Sequence, residues 1–339
     1  MSIVDLARAA GVSVTTVSRV INNADYPVRE ATRQRVLKAA AELEYSPSAL
    51  ARALVTRRTR IVGVVVHDIL DPYFGEIVRG IQDAAGEHGY LTIVCNSDRQ
   101  VATELNYLRL FRDYRVDGII LAGGGQLDGG PDDADWPAAL RIQEKGTRII
   151  ALAPQPFPTH LVTIDNQRAS REMTAYLLGL GHRRIGFIEG PPRLLTSRLR
   201  RDGFAEALAA VGQPPDPELI VPGNFDLESG ARAASHFLGL DRPPTAIFAT
   251  NDEMAVGCLE TLRRRGVRVP ADVSVVGFDD VRFLQFVDPR LTTVHVPLHD
   301  LGATAMRQLL RALDDEPIEP TLVLEHELVV RESSAPPGT

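Results

Sequence analysis

The sequence predicts an all-α N-terminal head followed by an α/β body of two doubly wound parallel-sheet lobes. Three observations lead to this prediction. The chain has 339 residues, which is more than one simple core accommodates. Residues 3–44 contain three short runs with apolar side chains at helical spacing. From Ile61 onwards, short β-branched runs alternate with helical stretches, a pattern typical of parallel sheets with helices on both faces.

The head has the pattern of a helix-turn-helix. Ser2 can cap a first helix over residues 3–10, which Gly11 ends, and Ser13 can cap a second helix. A longer third helix ends near Glu44. A helix, a glycine-containing turn, a second helix and a third packing helix form the plan of a helix-turn-helix DNA-binding domain. The apolar interior of the first two helices is expected to consist of Leu6, Ala7, Val12, Val17 and Val20.

The second helix of such a domain enters the major groove, so its solvent-facing residues are the candidate DNA contacts. They are Val14, Thr15, Thr16, Ser18 and Arg19. Arg19 can bond guanine O6 and N7 with both donors, and Thr15 can read a base edge or a methyl group. Thr16 and Ser18 are expected to bond phosphate, which positions the protein without reading sequence.

The charge distribution agrees with a DNA-binding head. Residues 1–60 contain ten Lys/Arg and five Asp/Glu, whereas the whole chain has a net charge of -7. This asymmetry indicates a polyanionic partner for the head alone. The start of the chain lacks a secretory signal pattern, and no run approaches eighteen apolar residues, so we expect a cytoplasmic protein without a membrane span. Cys95 and Cys258 are expected to be free thiols.

Residues 46–60 separate the head from the body. Pro47 suits the first turn of a helix, but a helix of about eight residues is unstable in isolation because nucleation is costly. This segment should therefore order only when it is held. The body that follows divides near residue 160, where Pro154, Pro156 and Pro158 lie close together. Its predicted strands cover residues 61–66, 91–95, 118–122, 148–152, 162–164, 184–188, 219–221, 246–249 and 273–277.

Three motifs carry a resemblance to a known family. Residues 4–13 (VDLARAAGVS) and 16–22 (TVSRVIN) resemble the head of LacI-type (lactose/galactose repressor) transcriptional regulators. Residues 45–54 (YSPSALARAL) are similar to the hinge helix of that family. The resemblance covers essentially the whole chain. It implies a homodimer that binds a pseudo-palindromic double-stranded operator and responds to a small-molecule effector. Repression is the expected outcome, and whether the effector induces or corepresses stays open.

The resemblance also implies a role for the hinge. Two hinge helices of a dimer pair in the minor groove, and the leucine that wedges between bases matches Leu54. Ser48 and Ala51 belong to the same expected set of DNA contacts. Two positions depart from the family pattern. Arg29 replaces a helix-capping serine, so the third helix could begin differently or depend on Thr32, and Val55 replaces a basic residue.

For the body, the resemblance implies the periplasmic-binding-protein-like fold, whose lobes close on a ligand. We expect residues 1–45 to be the DNA-binding domain, 46–60 the hinge and 61–332 the effector-binding and dimerisation domain. Lobe one would contain about 61–160 and 293–320, and lobe two about 161–292 and 321–332. Ligands bind beyond the carboxyl ends of parallel strands, and the family motifs place eight candidate residues there. They are Tyr73, Phe74, Thr196, Arg198, Arg200, Phe225, Asn251 and Asp279.

These residues favour a sugar or sugar derivative. The aromatic side chains can cover a ring, while Arg198, Asn251 and Asp279 can bond its hydroxyl groups. A purine- or nucleoside-responsive regulator is the alternative, in which Thr196 and Arg200 match the binding positions. Asn251 and Asp279 could instead be helix caps, because both follow predicted strands.

The sequence does not favour either of two other functional classes, enzymes and solute-binding transport proteins. No Gly-x-Ser-x-Gly elbow or phosphate-loop lysine occurs, so we do not expect an enzyme. His295 and His299 are four residues apart, but Pro297 argues against a helical metal pair, and we expect neither a metal nor another cofactor. A solute-binding transport protein has no use for a helix-turn-helix. The lack of a C-terminal heptad helix favours a dimer over a tetramer.

Overall fold

The computed structural model describes residues 1–21, 26–45, 53, 58–125, 143 and 146–338. The chain divides into two units, Met1–Arg60 and Ile61–Thr339. None of the helices in the described ranges has the length and apolarity needed to span a bilayer. The hinge residues Ser48, Ala51, Leu54 and Val55 lie outside the described residues.

The first unit contains α1 (Ile3–Ala10), α2 (Val14–Ile21) and α3 (Glu30–Glu42). The Ser2 hydroxyl accepts a bond from the Asp5 amide, and the Asp5 carboxylate accepts one from the Ser2 amide at 3.0 Å. Gly11 ends α1 with a φ of 63°, which favours glycine. Ser13 caps α2, since its Oγ accepts a bond from the Thr16 amide at 3.1 Å.

The predicted core of the head is confirmed. Leu6, Ala7, Val17 and Val20 are buried, and Val12 packs against them. Arg29 stands where the family pattern has a capping serine, and α3 accordingly begins at Glu30 without a side-chain cap. The Thr32 amide bonds the Arg29 carbonyl oxygen instead.

The second unit alternates strands and helices. Its strands are β1 (Ile61–Val66), β2 (Leu91–Asn96), β3 (Gly118–Leu121), β4 (Arg148–Ala151), β5 (His160–Ile164), β6 (Ile185–Glu189), β7 (Ile220–Pro222), β8 (Ala246–Ala249), β9 (Ser274–Val276), β10 (Thr293–His295), β11 (Thr321–Leu324) and β12 (Glu327–Val329). Its helices are α4 (Pro72–Glu87), α5 (Val101–Asp113), α6 (Asn166–Gly179), α7 (Leu195–Ala210), α8 (Leu227–Leu238), α9 (Asp252–Arg264) and α10 (Leu298–Leu313), with 3-10 turns at Pro217–Leu219 and Arg282–Phe286.

Two parallel sheets form the predicted two lobes. Within the described residues, the first sheet has the order β11-β5-β4-β3-β1-β2 and the second β7-β6-β8-β9. All pairs within both sheets are parallel. β10 and β12 form an antiparallel pair, and bridges from Thr292 and His295 join this part of the chain to Val276 and Asp279 in the second lobe.

The structure corrects the lobe boundaries predicted from the sequence. The seam near residue 160 is too early, because β5 pairs with β4 and belongs to the first sheet. β11 was placed in lobe two, but it pairs with β5 and also belongs to the first sheet. β10 was placed in lobe one and lies against lobe two. The chain passes from one lobe to the other three times, after β5, after β10 and after β11, and each passage comes a few residues later than predicted.

The first lobe depends on close contact between α4 and α10. A Cβ on Gly80 would lie 1.9 Å from the His299 carbonyl oxygen, and a Cβ on Gly302 would lie 2.0 Å from the carbonyl oxygen of Ile77. The two helix backbones therefore touch, and only glycine fits at the crossing.

We expect Gly80→Ala to lower the free energy of unfolding by about 2 kcal/mol or more, because the obstructing atom is backbone and cannot rotate away. Urea denaturation measures this. Gly86→Ala is the matched control in the same helix, since its Cβ would meet no heavy atom within 4 Å. It should be neutral or stabilise by up to about 1 kcal/mol. Equal effects of the two substitutions would contradict the close contact.

Candidate functional site

The first unit carries the predicted DNA-contact helix α2. Val14 and Thr15 are exposed, whereas Thr16, Ser18 and Arg19 are half-buried. The Thr16 hydroxyl lies 2.9 Å from Ser13 Oγ and so takes part in the cap of the helix. These residues stay predicted DNA contacts, as do the hinge residues.

Arg19 has a contact that the sequence did not suggest. Its guanidinium carbon lies 3.7 Å from the centroid of the Tyr26 ring, in cation–π geometry. Tyr26 is not among the predicted site residues. It lies outside α2, between the end of that helix and the start of α3, so helical spacing gives no sign of its contact with Arg19.

In the second unit, a cavity lies between the carboxyl ends of the strands of the two lobes, where parallel sheets bind ligands. It is lined by His67, Asp71, Tyr73, Phe74, Arg99, Ala122, Gly124 and Ala153 from the first lobe, and by Leu194, Thr196, Arg200, Phe225, Asn251 and Asp279 from the second. Seven of the eight predicted effector residues are among them.

Arg198 is the exception, because the structure does not bring it to the cavity. The side chain is exposed and does not line the cavity. The reason is helix geometry. Thr196 and Arg200 are four residues apart on α7 and share one face, while a residue midway between them points to another face.

Arg200 is the most highly connected polar residue of the cavity wall. Its Nε donates to Asn166 Oδ1 at 2.9 Å, and its Nη2 donates to Asp279 Oδ1 at 3.2 Å. Its Nη1 donates to the carbonyl oxygen of Thr250. The guanidinium carbon lies 3.6 Å from the centroid of the Phe278 ring. Arg200 is therefore held in one orientation by four neighbours.

Asp279 faces Arg200 rather than capping a helix. Burial raises the pKa of its carboxyl well above the ordinary value, and the Arg200 guanidinium opposes that shift. Its φ of 111° lies in the left-handed region. Asn251 occupies both of the positions that the sequence left open for it. It caps α9, because its Oδ1 accepts from the Met254 amide at 3.0 Å, and it also lines the cavity.

Aromatic side chains line the cavity from both lobes. Tyr73 and Phe74 lie in the first turn of α4, and the Asp71 carboxylate caps this helix by accepting a hydrogen bond from the Tyr73 backbone amide at 2.9 Å. Their rings meet edge to face with centroids 5.1 Å apart. Phe225 faces them from the second lobe, and Nδ2 of the Asn251 side chain donates to the Phe225 carbonyl oxygen at 3.1 Å.

Three charged or polar residues of the cavity were missed from the sequence. Burial, together with the nearby charge of Arg99, lowers the pKa of His67 to about 3, so this imidazole is neutral. Burial raises the pKa of Asp71 to about 6. His67 directly follows β1 and Arg99 lies three residues after the end of β2, so the rule that ligands bind beyond strand ends could have found both.

Arg99 also joins the two lobes. Its Nη1 donates to Asn224 Oδ1 at 2.9 Å and to the Asn224 carbonyl oxygen at 3.1 Å. Arg99 and Phe225 both have positive φ, at 57° and 60°. The contact between Arg99 and Asn224 thus bridges the cleft beside Phe225. Next to it lies a group of acidic residues, the outer acidic residues, which are Asp68, Asp98, Asp226 and Glu253.

Comparison with protein families agrees with both units. Residues 2–48 match the model of bacterial regulatory proteins of the lacI family, and residues 174–334 match that of a periplasmic binding protein-like domain. The chain is 36% identical over 335 residues to the HTH-type transcriptional repressor CytR of Escherichia coli K12, covering 97% of this chain and 95% of the relative. It is 35% identical over 339 residues to catabolite control protein A of Priestia megaterium, covering 98% and 99%.

Solved structures show the same architecture. The lac repressor dimer bound to operator and the anti-inducer ONPF superposes with a TM-score of 0.87 at 28% identity, covering 99% of each chain. The complex of the transcriptional regulator CelR with cellobiose gives a TM-score of 0.73 at 33% identity, covering 98% of this chain and 99% of that one. The predicted fold and the predicted resemblance are thus confirmed, and the chain belongs to the lacI family of bacterial regulatory proteins, which are DNA-binding transcriptional regulators.

Proposed function

We propose that this regulator is a repressor whose operator affinity is set by a neutral polyhydroxylated ring, a sugar or a nucleoside, bound between its lobes. The observation that carries the proposal is the balance of charge in the cavity. Its two acidic side chains, Asp71 and Asp279, are matched in number by two guanidinium groups, Arg99 and Arg200, and His67 is neutral. Both guanidinium groups already donate hydrogen bonds to the protein, and the residues that line the cavity include no further cation for an anionic ligand.

The outer acidic residues agree with this argument, because Asp68, Asp98, Asp226 and Glu253 line a second pocket beside the cavity and add no positive charge for a phosphate ester. The aromatic rings of Tyr73, Phe74 and Phe225 supply faces for a sugar or a base. With Arg198 outside the cavity, the nucleoside alternative gains support, since Thr196 and Arg200 remain as its readers.

For DNA binding, we propose the contacts that the sequence predicts. A homodimer would place α2 of each head in the major groove, with Arg19 and Thr15 reading bases and Val14, Thr16 and Ser18 beside them. The hinge, residues 46–60, would bind the minor groove through Ser48, Ala51 and Leu54. We further propose a cytoplasmic protein without catalytic activity.

Thermal melting of the full-length chain tests the effector class. The ligands are glucose, ribose, adenosine and uridine, each beside its phosphate ester. A neutral ligand at 100 times its Kd adds about 2.7 kcal/mol, which should raise the Tm by several degrees. Its phosphate ester should give no comparable shift. Shifts confined to the phosphate esters would contradict the charge argument. A neutral ligand that raises the Tm should also change operator affinity.

A further inference from the structure

The contact between Arg19 and Tyr26 leaves the hydrogen-bonding edge of the guanidinium available. At 3.7 Å from the ring centroid, the cation is covered on one face. Its N–H donors point outward in the guanidinium plane, so a ring on the face does not consume them. A guanine base is read through this same edge, by two parallel bonds to O6 and N7.

The surroundings of Arg19 favour a role for the ring in orientation. Among residues 1–21 and 26–45, no carboxylate pairs with Arg19. Arg19 lies four residues after the exposed Thr15, on the same face of α2. Tyr26 is itself 53% exposed, so the pair stands at the surface and not inside the core of the head.

Fixing the plane of Arg19 matters for sequence reading because a bidentate contact requires one orientation. A free arginine side chain has many rotamers, and part of this freedom is lost when it docks on a base. A ring that already restricts the guanidinium lowers that loss for the guanine contact.

We propose that Tyr26 is a positioning residue for base recognition, which holds Arg19 in the plane that selects guanine in each half-site. This inference rests on the proposed DNA-binding role of Arg19 and extends it to a residue outside the recognition helix. The aromatic ring is the part of Tyr26 that acts, and the hydroxyl group is dispensable.

Selection of binding sites from random double-stranded DNA by the full-length chain tests the inference. Tyr26→Phe should select the wild-type consensus with affinity within about twofold. Tyr26→Ala should lose the guanine preference at one symmetric pair of positions and bind the wild-type consensus about 3–30-fold more weakly, the range of a cation–π contact. Affinity for random DNA should stay unchanged, which an unfolded head would not allow.

A double-mutant cycle with Arg19→Ala separates positioning from direct contact. In the Arg19→Ala background, Tyr26→Ala should have no further effect on affinity or consensus. A full further loss there would overturn the inference, as would a Tyr26→Ala variant that keeps the guanine preference or a Tyr26→Phe variant that loses it. A wild-type pool without any consensus would instead overturn the proposed function, and the inference with it.

Discussion

Replacing Arg200 by alanine is expected to lower the free energy of unfolding by about 3–5 kcal/mol and to abolish effector binding. Arg200 is only 5% exposed and is paired with the buried Asp279. Its removal leaves the carboxylate without its cation and the Asn166 oxygen and the Thr250 carbonyl without their donor. Breaking one side of a buried ion pair has a cost of this size. Urea denaturation and Tm shifts with the neutral ligands measure the two effects.

Arg198→Ala is the matched control, two residues away on the same helix. Because Arg198 is exposed and outside the cavity, its replacement should change stability by less than about 0.5 kcal/mol and leave ligand binding intact. Asp279→Asn provides a second test that removes the carboxylate charge while keeping its volume, and it too should weaken ligand binding. A larger effect of Arg198→Ala than of Arg200→Ala would contradict the placement of α7.

Glu104→Gln is expected to stabilise the protein at pH 8 by about 3 kcal/mol and to leave its stability at pH 5 almost unchanged. Glu104 is 9% exposed in the first turn of α5, and burial raises its pKa from the ordinary value of 4.5 to about 7. Because the folded-state pKa is the higher one, the folded protein holds the proton longer than the unfolded chain. Stability is therefore lost as pH rises from about 4.5 through 7, by about 1.4 kcal/mol for each pKa unit.

Urea denaturation from pH 5 to pH 8 follows this effect, with the wild-type chain as the reference at each pH. The glutamine variant should lack the part of the decline that the buried carboxyl causes. Parallel curves for the two proteins would contradict the raised pKa. A glutamine variant that is less stable at pH 8 would show that the Glu104 carboxylate has a stabilising partner.

The parts of this protein that follow local rules could be predicted from the sequence. The caps at Ser2 and Ser13 and the termination of α1 at Gly11 depend only on neighbouring residues. β1 was predicted with its exact bounds because a run of β-branched residues ends sharply at both sides. The cavity residues Tyr73, Phe225 and Asp279 followed from family motifs together with the rule that ligands bind beyond strand ends.

The remaining features depend on contacts between distant residues. The resemblance placed Arg198 in the site, whereas the face shared by Thr196 and Arg200 decides which arginine enters the cavity. The pairing of β5 with β11 joins residues far apart in sequence, so the boundary near residue 160 could not be fixed by a proline cluster. The ring contact of Arg19 likewise needs the path of the chain between α2 and Tyr26.

The order of strands in the first lobe has a consequence for the way this protein is made. Its sheet takes β11 from near the end of the chain, and α4 packs on α10 through Gly80 and Gly302. The second lobe draws its four-stranded sheet from residues 185–276, a nearly continuous stretch. During synthesis, the strands of the first lobe leave the ribosome first. The edge of β5 stays unpaired and α4 stays uncovered until α10 and β11 have been translated near the end of the chain. The sheet whose first strands are translated earliest is thus the one that receives its last strand latest.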